Sequence, residues 1–179
     1  MENSNLLLIY LAILLALLSV AAFFVVRQVL KTRRIEGTLS RLQSRLTKEK
    51  GTAQEYYELG SLLLDKKLYT QAALYLQQAL KQLGDDEAEN AAVVYNALGY
   101  SYFAQEQYDL AIRNYKEALK ISPEYVTALN NLGHSYERKQ LTSQALEMYE
   151  TALSLEPKNT TSRRRADSLK KRLAPSTGK

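Results

Sequence analysis

The sequence predicts an all-α chain: one apolar helix of membrane-spanning length, then a solenoid of three helix pairs closed by a capping helix. Two observations carry this expectation. Leu6 to Val26 is an uncharged run of 21 residues, which at about 1.5 Å per residue matches the ~30 Å hydrocarbon core of a bilayer. Downstream, one spaced pattern of residues occurs three times. The copies are Leu59, Gly60, Leu63, Ala72, Leu76, Ala79, then Leu98, Gly99, Tyr102, Ala111, Tyr115, Ala118, Pro123, then Leu132, Gly133, Tyr136, Ala145, Tyr149, Ala152, Pro157. Gly99 and Gly133 stand 34 residues apart, whereas Gly60 and Gly99 stand 39 apart, with the extra residues in the acidic stretch 84–90.

Taken in order, residues 1–5 form a short amino-terminal tail and residues 6–26 a transmembrane anchor. Ser19-Val20-Ala21 would serve as a signal-peptide cleavage site, but the preceding segment carries Glu2 and no basic side chain, and the apolar run continues through Phe23, Phe24, Val25 and Val26. Those flanks predict a retained anchor. Arg27, Lys31, Arg33 and Arg34 follow at once, and by the positive-inside rule they place the repeats on the cytoplasmic or stromal side. Residues 27–52 read as a basic connecting helix. Its Leu39, Leu42 and Leu46 recur at i, i+3, i+7, a stripe expected to pack on the first helix pair because one heptad is far short of a coiled-coil signal.

Each repeat reads as two amphipathic helices joined by a tight turn. Gly60, Gly99 and Gly133 fall inside helices, where glycine costs roughly 1 kcal/mol relative to alanine. That cost is understandable if a neighbouring helix comes close to the backbone, and Ala72, Ala111 and Ala145 are the small residues expected on the facing helix. Pro123 and Pro157 end one helix and open the next, and Gly84 takes that place in the first copy. The repeats span 53–86, 92–125 and 126–159. Three stacked pairs are about the minimum for a stable solenoid, which also needs a cap with a polar outer face. Residues 160–173 supply it, with Ala166, Leu169 and Leu173 on one face, and residues 174–179 read as a disordered tail.

With this period and pattern the chain resembles the tetratricopeptide-repeat family over about residues 53–159. The resemblance implies a scaffold that binds protein partners in a groove lined by the first helix of each repeat. Carried over from the family, the groove residues are Tyr57, Ser61 and Leu64, then Val93, Asn96, Tyr100 and Phe103, then Thr127, Asn130, His134, Glu137 and Arg138. The amides of Asn96 and Asn130 would bond an extended peptide backbone, Tyr100 and Phe103 would give an apolar platform, and His134 a polar contact. The cationic clamp with which tetratricopeptide co-chaperones hold a terminal carboxylate is missing. Its places carry Tyr57, Ser61, Ala97, Thr127 and Asn131.

Charge is segregated along the chain. Residues 27–50 carry a net +6, residues 51–157 a net −7 and residues 158–179 a net +7. An acidic repeat body therefore lies between two basic segments, the first of which suits anionic lipid headgroups. The basic end lacks interleaved aromatics and a nucleic-acid fold, so no nucleic-acid partner is expected. With one histidine, His134, and no cysteine, no His/Cys metal set can be assembled, and Asp85-Asp86-Glu87 lacks the ligand alternation of a calcium loop. Neither a phosphate-cradling loop nor a nucleophile elbow is present. No enzyme activity, cofactor or metal is expected.

Beyond the repeats, Ile9-Tyr10-Leu11, Val25-Val26-Arg27-Gln28-Val29-Leu30-Lys31 and Glu55-Tyr56-Tyr57-Glu58-Leu59-Gly60-Ser61 resemble one specific group. These are the amino-terminally anchored tetratricopeptide proteins of cyanobacteria and plastids that assist assembly of photosystem I. That resemblance implies a thylakoid location and photosystem I subunits or assembly factors as partners. The alternative is a membrane receptor that takes targeting peptides during protein import or insertion, for which the acidic body would suit basic clients.

Overall fold

The structure is a computed structural model that describes residues 2–84 and 88–173. The tail 174–179 and the acidic cluster Asp85-Asp86-Glu87 lie outside the described residues. Eight helices account for the described chain: α1 Glu2–Lys48, α2 Ala53–Asp65, α3 Tyr69–Gln82, α4 Ala88–Ala104, α5 Tyr108–Ile121, α6 Val126–Arg138, α7 Thr142–Leu155 and α8 Thr160–Leu173. The chain divides into two compact units, Met1–Arg45 and Leu46–Lys179.

In the first unit α1 is unbroken from Glu2 through the apolar run and the basic segment. It is long and apolar enough to cross a membrane, and from Ile9 to Leu30 its apolar side chains are exposed.

The second unit is the solenoid. Helices pair as α2 with α3, α4 with α5 and α6 with α7, and contacts of α3 with α4, α5 with α6 and α7 with α8 join successive pairs and the cap. The first helix starts sharply because Thr52 and Glu55 form a capping box. Glu55 N–H donates to Thr52 Oγ1 at 3.2 Å and Thr52 N–H donates to Glu55 Oε2 at 3.0 Å, satisfying two otherwise orphaned donors. Leu46 crosses directly over Gly51, where a side chain would collide with it. From there it packs on the core of Tyr56, Ala73, Leu76, Ala79, Val94 and Leu98.

Each repeat glycine receives one large side chain. A Cβ on Gly60 would stand 2.7 Å from Leu76, on Gly99 2.7 Å from the Tyr115 ring, and on Gly133 2.9 Å from the Tyr149 ring. Sequence reasoning places the small residues Ala72, Ala111 and Ala145 opposite the glycines. They are fully buried, but the side chain that fills the glycine notch is the bulky residue one turn later. Burial drives the phenols of Tyr115 and Tyr149 far above the usual tyrosine range. The Tyr149 hydroxyl donates to Glu137 Oε1 at 2.7 Å, so the one polar atom of that ring is satisfied.

The turn inside each pair repeats as faithfully as the core. Lys67, Glu106 and Gln140 all adopt φ 60°. The N–H groups of Leu68, Gln107 and Leu141 donate back to the carbonyls of Leu63, Tyr102 and Tyr136, each at 2.9 Å. This is the Schellman closure, in which the left-handed residue is usually glycine.

The cap buries Ala166 and Leu169 with Tyr149 and Leu132. Leu173, expected on the same face, is exposed, and the face begins instead at the fully buried Ser162. Ser162 Oγ donates to Asn130 Oδ1 at 2.6 Å, so a hydroxyl completes a face that hydrophobic periodicity alone starts four residues later.

Two stability outcomes are expected. Gly99→Ala adds helix propensity but meets the Tyr115 ring, and a net loss of roughly 1–3 kcal/mol is expected in thermal unfolding. In a Tyr115→Ala background the same substitution should cost little, a coupling that a double-mutant cycle measures. Gln140→Gly relieves the left-handed backbone of an exposed residue and should raise stability by roughly 1 kcal/mol. An unchanged melting temperature would show that the turn carries no strain.

Candidate functional site

The first helices of the three repeats, α2, α4 and α6, border a common cavity of about 550 Å³. Tyr57, Ser61, Leu64 and Asp65 line it from α2, Asn96, Ala97 and Tyr100 from α4, and Asn131 from α6, with Lys67 and Tyr69 closing one end. These side chains share a groove because the repeat spacing returns the same helix face at each step. Five of the twelve groove residues expected from the sequence meet here: Tyr57, Ser61, Leu64, Asn96 and Tyr100. Lys67 and Tyr69 escape sequence reasoning because they belong to the turn, whose left-handed residue swings the chain back toward the groove. Tyr69 meets Tyr100 edge to face with ring centroids 6.3 Å apart, which fixes a tyrosine whose side chain is 43% exposed.

The asparagines are engaged within the solenoid. Asn131 Nδ2 donates to Asn96 Oδ1 at 3.0 Å, and Asn96 Nδ2 donates to the Tyr125 hydroxyl at 3.3 Å. Burial, and then the nearby Tyr57 phenol, raise the Tyr125 hydroxyl above its ordinary range, so it stays protonated. Asn130 is drawn to the cap by Ser162. A ligand therefore finds part of each amide already committed.

Phe103 and His134 line no part of that cavity. They form a second patch, with ring centroids 4.7 Å apart. Phe103 also meets Tyr108 at 5.5 Å, and the Arg138 guanidinium lies 5.0 Å above the Tyr108 ring. Arg138 pairs with Glu106 at 3.6 Å and Arg165 with Glu137 at 3.5 Å. Burial lowers the His134 imidazole below its usual value, the Arg165 charge lowers it further and Glu137 opposes them. At neutral pH it is an uncharged group with one donor and one acceptor.

Asp65 and Lys67 are the charged residues of the cavity lining. Among the described residues that line the groove, Lys67 is the one cation, so they form no cationic clamp for a terminal carboxylate. Among the described residues, no group of three or more His, Cys, Asp or Glu could hold a metal ion. The lining is mainly aromatic and uncharged polar, with three tyrosines, a serine and two asparagines.

Comparison with known proteins accords with this geometry. The "TPR repeat" family model matches residues 99–140, and the "Tetratricopeptide repeat" model matches residues 126–159. The ycf37 protein of Pyropia yezoensis is 31% identical over 125 residues, covering 68% of this chain and 70% of that protein. The chain belongs to the ycf37 family of tetratricopeptide-repeat proteins. A second ycf37 protein, from Cyanophora paradoxa, is 38% identical over 65% of this chain and 64% of its own length. The chloroplastic tetratricopeptide protein PYG7 of Arabidopsis thaliana is 40% identical over 92% of this chain. The chain spans only about half of that relative, 54% of its length. Among solved structures, MamA superposes with a TM-score of 0.72 at 19% identity, covering 79% of this chain and 80% of MamA. That likeness shows the solenoid fold. As a ycf37-family protein the chain is a protein-interaction scaffold, of a fold that is typically non-catalytic.

The lowered His134 value has a consequence for stability. The folded protein binds the imidazole proton more weakly than the unfolded chain, so the contribution of neutral His134 is complete above about pH 6.5. It is lost as pH falls from there toward the lowered folded-state value. Melting temperatures of the native protein and His134→Gln, followed from about pH 7 to pH 5, should show the steeper decline in the native protein. Parallel curves would mean that His134 is not held neutral.

Proposed function

We propose that this chain is a membrane-anchored scaffold that assists assembly or stability of photosystem I at the thylakoid membrane. Residues 6–26 serve as the anchor, residues 27–52 connect it to the repeats, and the three repeats stand on the cytoplasmic or stromal side. The groove holds a photosystem I subunit or an assembly factor while the complex is built. Tyr57, Ser61, Leu64, Asn96 and Tyr100 contact the client, and Phe103, Asn130 and His134 extend the contact toward the cap.

The observation that carries this reading is the match to a chloroplastic protein. At 40% identity over 92% of the chain, it takes in the repeats and at least part of the apolar run. A bare repeat likeness would stop at the repeats. The span-length helix supports a site of action at a membrane, and the aromatic groove with few charges suits a client that must later be released.

Replacing Asn96 or Asn130 would disturb the solenoid itself, so a groove test belongs at Ser61 and Tyr100. In one combined variant, Ser61→Arg should crowd the cavity with a charge and Tyr100→Ala should remove its aromatic wall, at the cost of the Tyr69 ring contact, roughly 1 kcal/mol of stability. In the source organism this variant should lower the amount of photosystem I reaction centre and largely spare photosystem II. Normal photosystem I both in this variant and after deletion of the gene would overturn the reading in favour of a receptor for targeting peptides.

A further inference from the structure

Across the end of the apolar run, one face of α1 forms a furrow of about 540 Å³. Phe23 and Val26 make its end within the apolar run, and beyond them Arg27, Lys31 and Arg34 alternate with Leu30 and Ile35. The three cations stand at i, i+4 and i+7, the spacing that aligns side chains on one helix face. They cover about 10 Å of helix, on the order of one Debye length, so Arg27 and Lys31 lie closest to a bilayer surface placed at the end of the apolar run and Arg34 at about the limit of its field.

This row is electrostatically unusual. None of the three residues has a carboxylate at i±3 or i±4, and the neighbours at that spacing include one another. Like charges at i, i+4 destabilise a helix, so an anion lodged against the row relieves a repulsion as well as gaining an attraction. Arg33, adjacent in sequence but turned away from the row, has Glu36 at i+3.

We infer that this furrow is a binding site for one anionic phospholipid of the bilayer. An acyl chain lies along Phe23, Val26 and Leu30, and the headgroup phosphate accepts hydrogen bonds from Arg27, Lys31 and Arg34. The guanidinium fork presents paired N–H donors to phosphate oxygens, and the ammonium adds a mobile point charge. A purely apolar end at Phe23 and Val26, followed by cations that keep apolar neighbours in Leu30 and Ile35, offers a lipid both acyl-chain and phosphate contacts, which favours a bilayer lipid over an acidic protein segment. The site rests on the membrane-anchor part of the proposed function. It would fix the depth of the anchor and its rotation about the helix axis, and so the direction in which the chain leaves the membrane.

The test uses the full chain reconstituted in phosphatidylcholine vesicles, with spin-labelled phosphatidylglycerol and spin-labelled phosphatidylcholine as probes. The native chain should immobilise labelled phosphatidylglycerol about fivefold more strongly, the preference expected from one well-placed basic contact. Arg34→Gln should weaken that preference, and the combined Arg27→Gln, Lys31→Gln and Arg34→Gln variant should abolish it, whereas Arg33→Gln should leave it intact. Equal loss from Arg33→Gln and Arg34→Gln would mean diffuse charge attraction and overturn the site. Alkaline carbonate separates the two levels of failure. A chain retained in the vesicles without lipid preference overturns the lipid site alone, and a chain released from them overturns the anchor and the site together.

Discussion

The solenoid depends on one contact made three times, a large side chain laid across a glycine of the facing helix. Gly60 takes Leu76, Gly99 takes Tyr115 and Gly133 takes Tyr149, each closer than a Cβ would allow. Without the glycine the two helices of a pair must separate, and everything built on their spacing shifts with them. That includes the register between pairs, the bond from Gln77 to the Tyr102 hydroxyl and the groove along α2, α4 and α6. The helix-propensity cost of three interior glycines is modest beside the burial of a leucine or tyrosine side chain in each pair.

Much of this was legible in the sequence. Period, glycine positions and apolar spacing predict the helix pairs because those features follow directly from close packing between helices. What escaped was whatever depends on contacts between distant positions or on backbone torsion. Lys67, Glu106 and Gln140 carry the left-handed turn without the glycine that would have announced it. Ser162 looks polar and surface-bound until Asn130, 32 residues away, is seen to receive its hydroxyl. Leu173 fits the apolar face of the cap by spacing, yet it is exposed.

The groove was legible to a similar degree. Family spacing brings Tyr57, Ser61, Leu64, Asn96 and Tyr100 to one cavity, since all five lie on first helices at equivalent faces. It misses Tyr69, which reaches the cavity through a turn, and it joins Phe103 and His134 to a cavity they do not line. It is also blind to how side chains are already employed. An asparagine on the inner face reads as a free amide in sequence, whereas in the fold Asn96 is bonded to Asn131 and to Tyr125.

That last arrangement sets a limit on how the groove can grip. A guest that seeks the Asn96 carbonyl or the Asn131 amide competes with a bond already made, so it trades one hydrogen bond for another at little net gain. Strength must then come from the tyrosine rings, whose contact area is forgiving of sequence and rapidly surrendered. Such a surface favours short residence over tight capture. A guest that does displace the Asn96–Asn131 bond also loosens a strut between the second and third repeats, so the scaffold slackens as it fills and its occupant is easier to evict.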